Sequence, residues 1–210
     1  MTHSFDQDYW DQHWRPDPTG APSAMAVSPP HPYLVRELDD LEPGTALDAG
    51  CGAGAEALWL AARGWQVTGA DLAHDALVRA AERAAASGVA DRVRWVQADL
   101  TTWEPDVSYD LVTTSYAHPA MPQLEFYDQV ASWVAAGGTL LIVGHLHHGP
   151  GHGAGEPPAA ASVRADDIVA RLDPDRWVVA TAEEPSRTLA AHGVSEVALH
   201  DVVVRATRRH

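Results

Sequence analysis

The sequence predicts an α/β fold, a mostly parallel sheet covered by helices on both faces. Three observations carry that prediction. Short apolar runs alternate with alanine- and leucine-rich helical segments along most of the chain. The run Thr139 to Val143 has no polar residue after its first position, as a strand covered on both faces requires. The run Thr45 to Ala49 turns through Gly50, Gly52 and Gly54 into a helical stretch, Ala55 to Arg63. Such a turn frees backbone N–H groups at a helix start and removes side chains where a ligand must approach closely.

The elements follow in order. Residues 1–30 form an aromatic segment, with Phe5, Tyr9, Trp10 and Trp14 ahead of a Pro/Gly/Ala stretch. A short helix there is expected to act as a lid, its ring faces covering a cationic ligand. Residues 31–210 are expected to form a single domain. His31 to Leu41 reads as a helix, because Leu34, Leu38 and Leu41 share one face and Pro43-Gly44 ends it. The first strand and the helix to Arg63 come next, and Trp65 to Ala70 is the second strand, leading to Asp71. Asp75 to Ser87 is an alanine-rich helix stopped by Gly88, and Val93 to Ala98 a third strand ending at Asp99-Leu100. Tyr109 to Thr114 is a fourth strand, ahead of Ser115-Tyr116-Ala117-His118. Gln123 to Ala135 reads as a helix that Gly137-Gly138 terminates, before the fifth strand, Thr139 to Val143. A histidine-rich Gly/Pro loop with His145, His147, His148 and His152 follows. A short helix over Ala165 to Leu172 precedes strands at Trp177 to Ala182 and Ser195 to Arg205. With no helix between them, those last two strands should pair antiparallel.

Composition narrows the function. Fourteen basic residues, all arginine, stand against 29 acidic ones in 210 residues, a net charge of −15. So acidic a surface repels phosphate backbones and anionic lipids, so neither a nucleic-acid partner nor a membrane is expected. The single cysteine, Cys51, excludes an internal disulfide, and no apolar run of membrane-spanning length occurs; a cytoplasmic location is expected.

Asp71 lies about 20 residues after the first glycine, where a carboxylate can accept hydrogen bonds from ribose hydroxyls. Gly50-x-Gly52-x-x-Ala55 also satisfies the dinucleotide pattern, so an NAD(P)-linked oxidoreductase is a rival reading. Against it stand Asp48, placed to meet a charged amino-acid moiety, Asp99, placed to meet an adenine amino group, and a chain short for two domains.

On Asp48-x-Gly50-x-Gly52-x-Gly54, Asp71, Asp99-Leu100 and Gly137-Gly138-Thr139-Leu140, the chain resembles the class I S-adenosylmethionine-dependent methyltransferases. Tyr9-Trp10-Asp11 and the Trp59 to Gly64 segment look like the small bacterial tellurite-resistance and thiopurine-type enzymes. The resemblance implies a Rossmann-like methyltransferase fold, a seven-stranded sheet with an antiparallel terminal strand. It also implies S-adenosyl-L-methionine over the carboxyl ends of the first four strands. Asp48, Gly50, Gly52, Gly54, Asp71, Leu72, Asp99, Leu100 and Trp14 are then the candidate cofactor contacts, with Tyr116, His148 and Trp10 facing a small-molecule acceptor.

Methyl transfer is an in-line displacement, and a hydroxyl, phenol or thiol acceptor must also lose a proton to a base whose pKa lies near the working pH. His118 after the fourth strand and His145 after the fifth are the candidates, expected at the same rim. The alternatives are a metal site built from His145, His147, His148 and His152, or a cofactor- or metal-binding protein without transferase activity. A Gly/Pro loop fixes no coordination geometry and matches no zinc motif, so no metal is expected.

Overall fold

In a computed structural model of the chain, which describes residues 5–15, 28–146, 162–189 and 197–210, β1 (Thr45–Ala49) lies at the middle of the sheet's parallel part. It pairs in parallel with β2 (Gln66–Asp71) on one side and β4 (Tyr109–Ser115) on the other. The strand order is β3-β2-β1-β4-β5-β8-β6, where β3 is Val93–Gln97, β5 Val134–Leu146, β6 Trp177–Glu183 and β8 Val197–Arg208. The order reverses between β1 and β4, which opens a crevice beyond their carboxyl ends. Strand β8 runs antiparallel to both β5 and β6.

The described sheet has eight strands rather than seven. The extra one, β7 (Ser186–Leu189), forms a short antiparallel pair with β8 and brings Arg187 to the sheet's functional end.

Helices cover both faces: α2 (Pro32–Leu38), α3 (Ala55–Ala62) and α4 (His74–Ala86) on one, α5 (Gln123–Ser132) and α6 (Ala165–Val169) on the other. The side-chain alternation of β5 shows why both are needed. Leu140 and Ile142 pack with Phe126, Val130 and Ile168, while Leu141 and Val143 pack with Leu34, Leu38 and Leu60. All four strand residues are buried, and burial of each stabilises the fold by on the order of 2 kcal/mol.

Several boundaries differ from expectation, those around β5 for a tertiary reason. Helix α2 starts at Pro32, with His31 as its N-cap, and ends by Leu38. Helix α5 ends at Ser132, and Val134 already pairs with Tyr109; Gly137, at φ +78°, lies within a β-irregularity rather than ending a helix. Strand β5 does not give way to a loop at Gly144. Strand β8 is long enough to pair with it as far as His145 (opposite Asp201) and Leu146 (opposite His200). His147, His148 and His152 lie outside the described residues.

Candidate active site

A cavity of about 770 Å³ opens beyond the carboxyl ends of β1, β2 and β4. Its floor is the turn after β1. Gly50 sits at φ +81° and donates its N–H to Ala70 O at 2.8 Å. Gly52 sits at φ +50°, and a Cβ there would meet the Trp14 ring at 2.7 Å, so only glycine lets the ring close over the turn. Asp71 ends β2 and holds that turn: Oδ2 accepts from Gly52 N–H at 2.7 Å and Oδ1 from Ala73 N–H at 2.9 Å. Leu72, Asp99 and Leu100 complete this side of the wall, with Asp99 Oδ1 accepting from Thr101 N–H and Oγ1–H.

Asp48 and Gly54 are placed elsewhere. Asp48 is buried beneath the turn, does not line the cavity, and accepts from Ala57 N–H at 3.2 Å in the first turn of α3. It therefore satisfies a backbone N–H at the start of α3. Gly54 precedes α3, and a Cβ there would meet the Trp95 ring. The carboxylate that does enter the cavity from this helix is Glu56, whose Oε1 accepts from His31 N–H at 3.0 Å. Burial raises the pKa of Asp48, Glu56 and Asp71 alike, and in Asp48 the nearby Glu56 and Asp71 charges push the same way. A cation bound in this end of the cavity would relieve that cost.

The roof is α1 (Gln7–Trp14), capped by Asp6, which accepts from Tyr9 N–H at 2.9 Å. Trp14 is buried against Ala53, Ala73 and Ala76, and Trp10 packs beside it. Phe5 closes the other side, its ring 5.7 Å from that of His118. Trp10, Trp14 and Phe5 all line the cavity.

The two histidines are neighbours but differ in access to the cavity. His118 is in the cavity wall, 7% exposed, with Nδ1 at 3.2 Å from Gln123 Oε1 and a buried Nε2 that has no hydrogen-bond partner. Burial lowers its pKa, so it is neutral near pH 7. His145 is not in the wall. As a residue of β5 it lies behind Tyr116, rings 4.2 Å apart, with Nδ1 3.9 Å from Asp201 Oδ1. The two rings do lie near each other, 5.7 Å apart, as expected, but pairing with β8 holds His145 in the sheet and only His118 lines the cavity.

Tyr116 lines the cavity at φ +55°, a conformation a tyrosine adopts only when its surroundings enforce it. His31 Nδ1 accepts from Tyr33 N–H, so its Nε2–H donates to Tyr116 Oη at 2.9 Å, and Tyr116 O–H donates to Asp201 Oδ1 at 3.0 Å. Arg187 donates to Asp201 Oδ2 at 2.6 Å. Burial and the Asp201 charge raise the Tyr116 pKa, which keeps the phenol protonated and excludes it as a base. Sequence reasoning missed Glu56, His31, Gln123 and Arg187, and placed Phe5 only among the aromatic residues of the N-terminal segment. Only Glu56 carried a signal, an acidic residue two positions past Gly54 at a helix start. No group of three or more His, Cys, Asp and Glu side chains among the described residues could hold a metal ion.

Residues 46–138 match the family model described as a methyltransferase domain. Over 105 residues the chain is 30% identical to thiocyanate methyltransferase 1 of Arabidopsis thaliana, a match covering 49% of this chain and 44% of that protein. The chain spans less than half the length of the curated relatives it matches. Among solved structures, TehB of Haemophilus influenzae aligns with a TM-score of 0.69 at 15% identity, over 97% of this chain and 67% of that one. The N-methyltransferase NodS of Bradyrhizobium japonicum, in complex with S-adenosyl-L-homocysteine, aligns with a TM-score of 0.70 at 16% identity, over 97% and 98%. At these identities the likeness to the solved structures is one of fold.

Proposed function

We propose that this chain, a class I S-adenosylmethionine-dependent methyltransferase, transfers a methyl group to an oxygen or sulfur of a small molecule, with His118 as the base. The observation that carries the reading is the polarity of the cavity. Glu56, Asp71 and Asp99 line one end around the glycine turn, while the unpartnered Nε2 of His118 stands in another part of the wall.

The residues fit the cofactor. Its ammonium and sulfonium groups are cations of the kind the half-buried Glu56 and Asp71 carboxylates call for, and Asp71 and Asp99 stand where ribose hydroxyls and an adenine amino group are expected. When bound, S-adenosylmethionine supplies a methyl activated by its sulfonium for in-line displacement. The chain's own residues do the rest. The glycine turn and Trp14 shape the floor and roof, α1 acts as a lid over residues of the 31–210 domain, and Trp10 and Tyr116 bound the acceptor's space. His118 Nε2 accepts the proton of the acceptor O–H or S–H as the new bond to carbon forms, and general-base assistance of this kind contributes roughly 10²–10⁴ in rate. A small acceptor suits a cavity roofed by a helix, and the charge of −15 disfavours a nucleic acid.

The test is a screen of hydroxyl, phenol and thiol acceptors with methyl-labelled cofactor, followed by single alanine variants. His118→Ala is expected to lower kcat by roughly 10²–10⁴ with cofactor affinity retained, and His145→Ala to change kcat much less. Full activity of His118→Ala would remove the base from the reading and leave positioning alone.

A further inference from the structure

We propose that Gln123 fixes the single ring proton of His118 on Nδ1, leaving the buried, unpartnered Nε2 as the ring's lone-pair acceptor. This inference rests on the reading of His118 as base, and it makes Gln123 a positioning residue. Gln123 is the first residue of α5 and is buried. Its amide has two distinct ends, and the fold decides which way they point. Nε2 donates to Ala117 O at 3.0 Å, and a carbonyl oxygen can only accept. The reverse orientation would set two oxygens against each other. Oε1 is therefore the end at 3.2 Å from His118 Nδ1, and since an amide oxygen also only accepts, Nδ1 must bear the hydrogen.

A neutral imidazole has one proton to place. With it on Nδ1, the Nε2 lone pair is free, and the buried Nε2 has no hydrogen-bond partner. That is the form a proton acceptor needs. In water the neutral ring favours the opposite form, with the hydrogen on Nε2, which would offer a donor where the reaction needs an acceptor. The other groups around the ring do not set its proton. Phe5 is apolar, and the titratable neighbour His145, its ring 5.7 Å away, is itself held neutral by burial and has its Nδ1 3.9 Å from Asp201 Oδ1.

Long-range ¹⁵N–¹H NMR spectra of histidine-labelled protein at pH 7.5 read the form directly, with the His118 signals assigned by their loss in His118→Asn. The wild-type spectrum is expected to show a protonated Nδ1 and an unprotonated Nε2. Gln123→Met, similar in volume but without the amide, should move the proton toward Nε2 and lower kcat by roughly 10- to 1000-fold, since the wrong tautomer disables a histidine base. Cofactor affinity should stay within about twofold in that variant, because Gln123 does not line the cavity. Gln123→Glu, which loses the donor to Ala117 O but keeps an acceptor opposite Nδ1, should keep a hydrogen on Nδ1. A wild-type His118 protonated on Nε2 overturns the proposal without any turnover being measured, and that spectrum decides even if Gln123→Met fails to fold. The expected tautomer together with a fully active His118→Ala would instead sink the base and leave the role of Gln123 in placing the proton intact.

Discussion

Burial draws the pKa of His145 down to about 4, with the neighbouring His118 adding to the effect. An unfolded histidine takes up its proton near pH 6.5. Between those values the unfolded chain binds more protons than the folded one, so stability falls as pH drops through that window. By pH 5 the share attributable to His145 is about 2 kcal/mol. Urea unfolding at pH 7.5 and pH 5 should therefore show the wild type losing about 2 kcal/mol more than His145→Asn. Equal losses would mean that the ring is protonated within the fold at no cost. The same residue marks where sequence reading stops. Asp71, Leu72, Asp99, Leu100, Tyr116 and His118 could be located because each ends or follows a recognisable strand. His145 also follows an apolar run, but its surroundings are set by Asp201, 56 positions on in a strand whose register the sequence does not state. Arg187 and His31 reach the cavity through equally remote pairings.

At the scale of elements, α1 roofs the cavity while standing outside the sheet. Phe5 and Trp14 are buried at its two ends, one against His118 and the other over Gly52. It contributes nothing to the sheet, whose two faces are packed by α2 to α6. Deleting residues 1–15 is thus expected to leave a protein that unfolds cooperatively but binds S-adenosylmethionine at least tenfold more weakly. Unchanged affinity in the truncated protein would show that α1 merely rests on the domain. Trp14→Ala should reproduce part of the effect, since it uncovers the Gly52 turn. The helix was legible as three large aromatic residues too many for a solvated tail, and the glycine turn as a strand running into a helix. The length of β5 was not. Gly137 and Gly138 look like a helix stop, and only pairing of Val134 with Tyr109 makes them an irregularity within a strand. Likewise β7 exists because β8 is there to pair with it.

For the whole molecule, the central feature is one cavity at the point where strand order reverses, with carboxylates around the glycine turn in a chain of net charge −15. That arrangement favours a cationic nucleoside ligand over an anionic dinucleotide, because carboxylates lining the cavity would repel a pyrophosphate and hold a sulfonium. Calorimetric titration of the wild type and Asp71→Asn with S-adenosylmethionine, and separately with NADH, tests this most directly. The wild type should bind S-adenosylmethionine and give no heat of binding with NADH. Asp71→Asn, which removes the charge while keeping an oxygen to hold Gly52, should bind at least about tenfold more weakly, a loss of about 1.5 kcal/mol or more. Binding of NADH in place of S-adenosylmethionine, or an unchanged affinity in Asp71→Asn, would contradict the account.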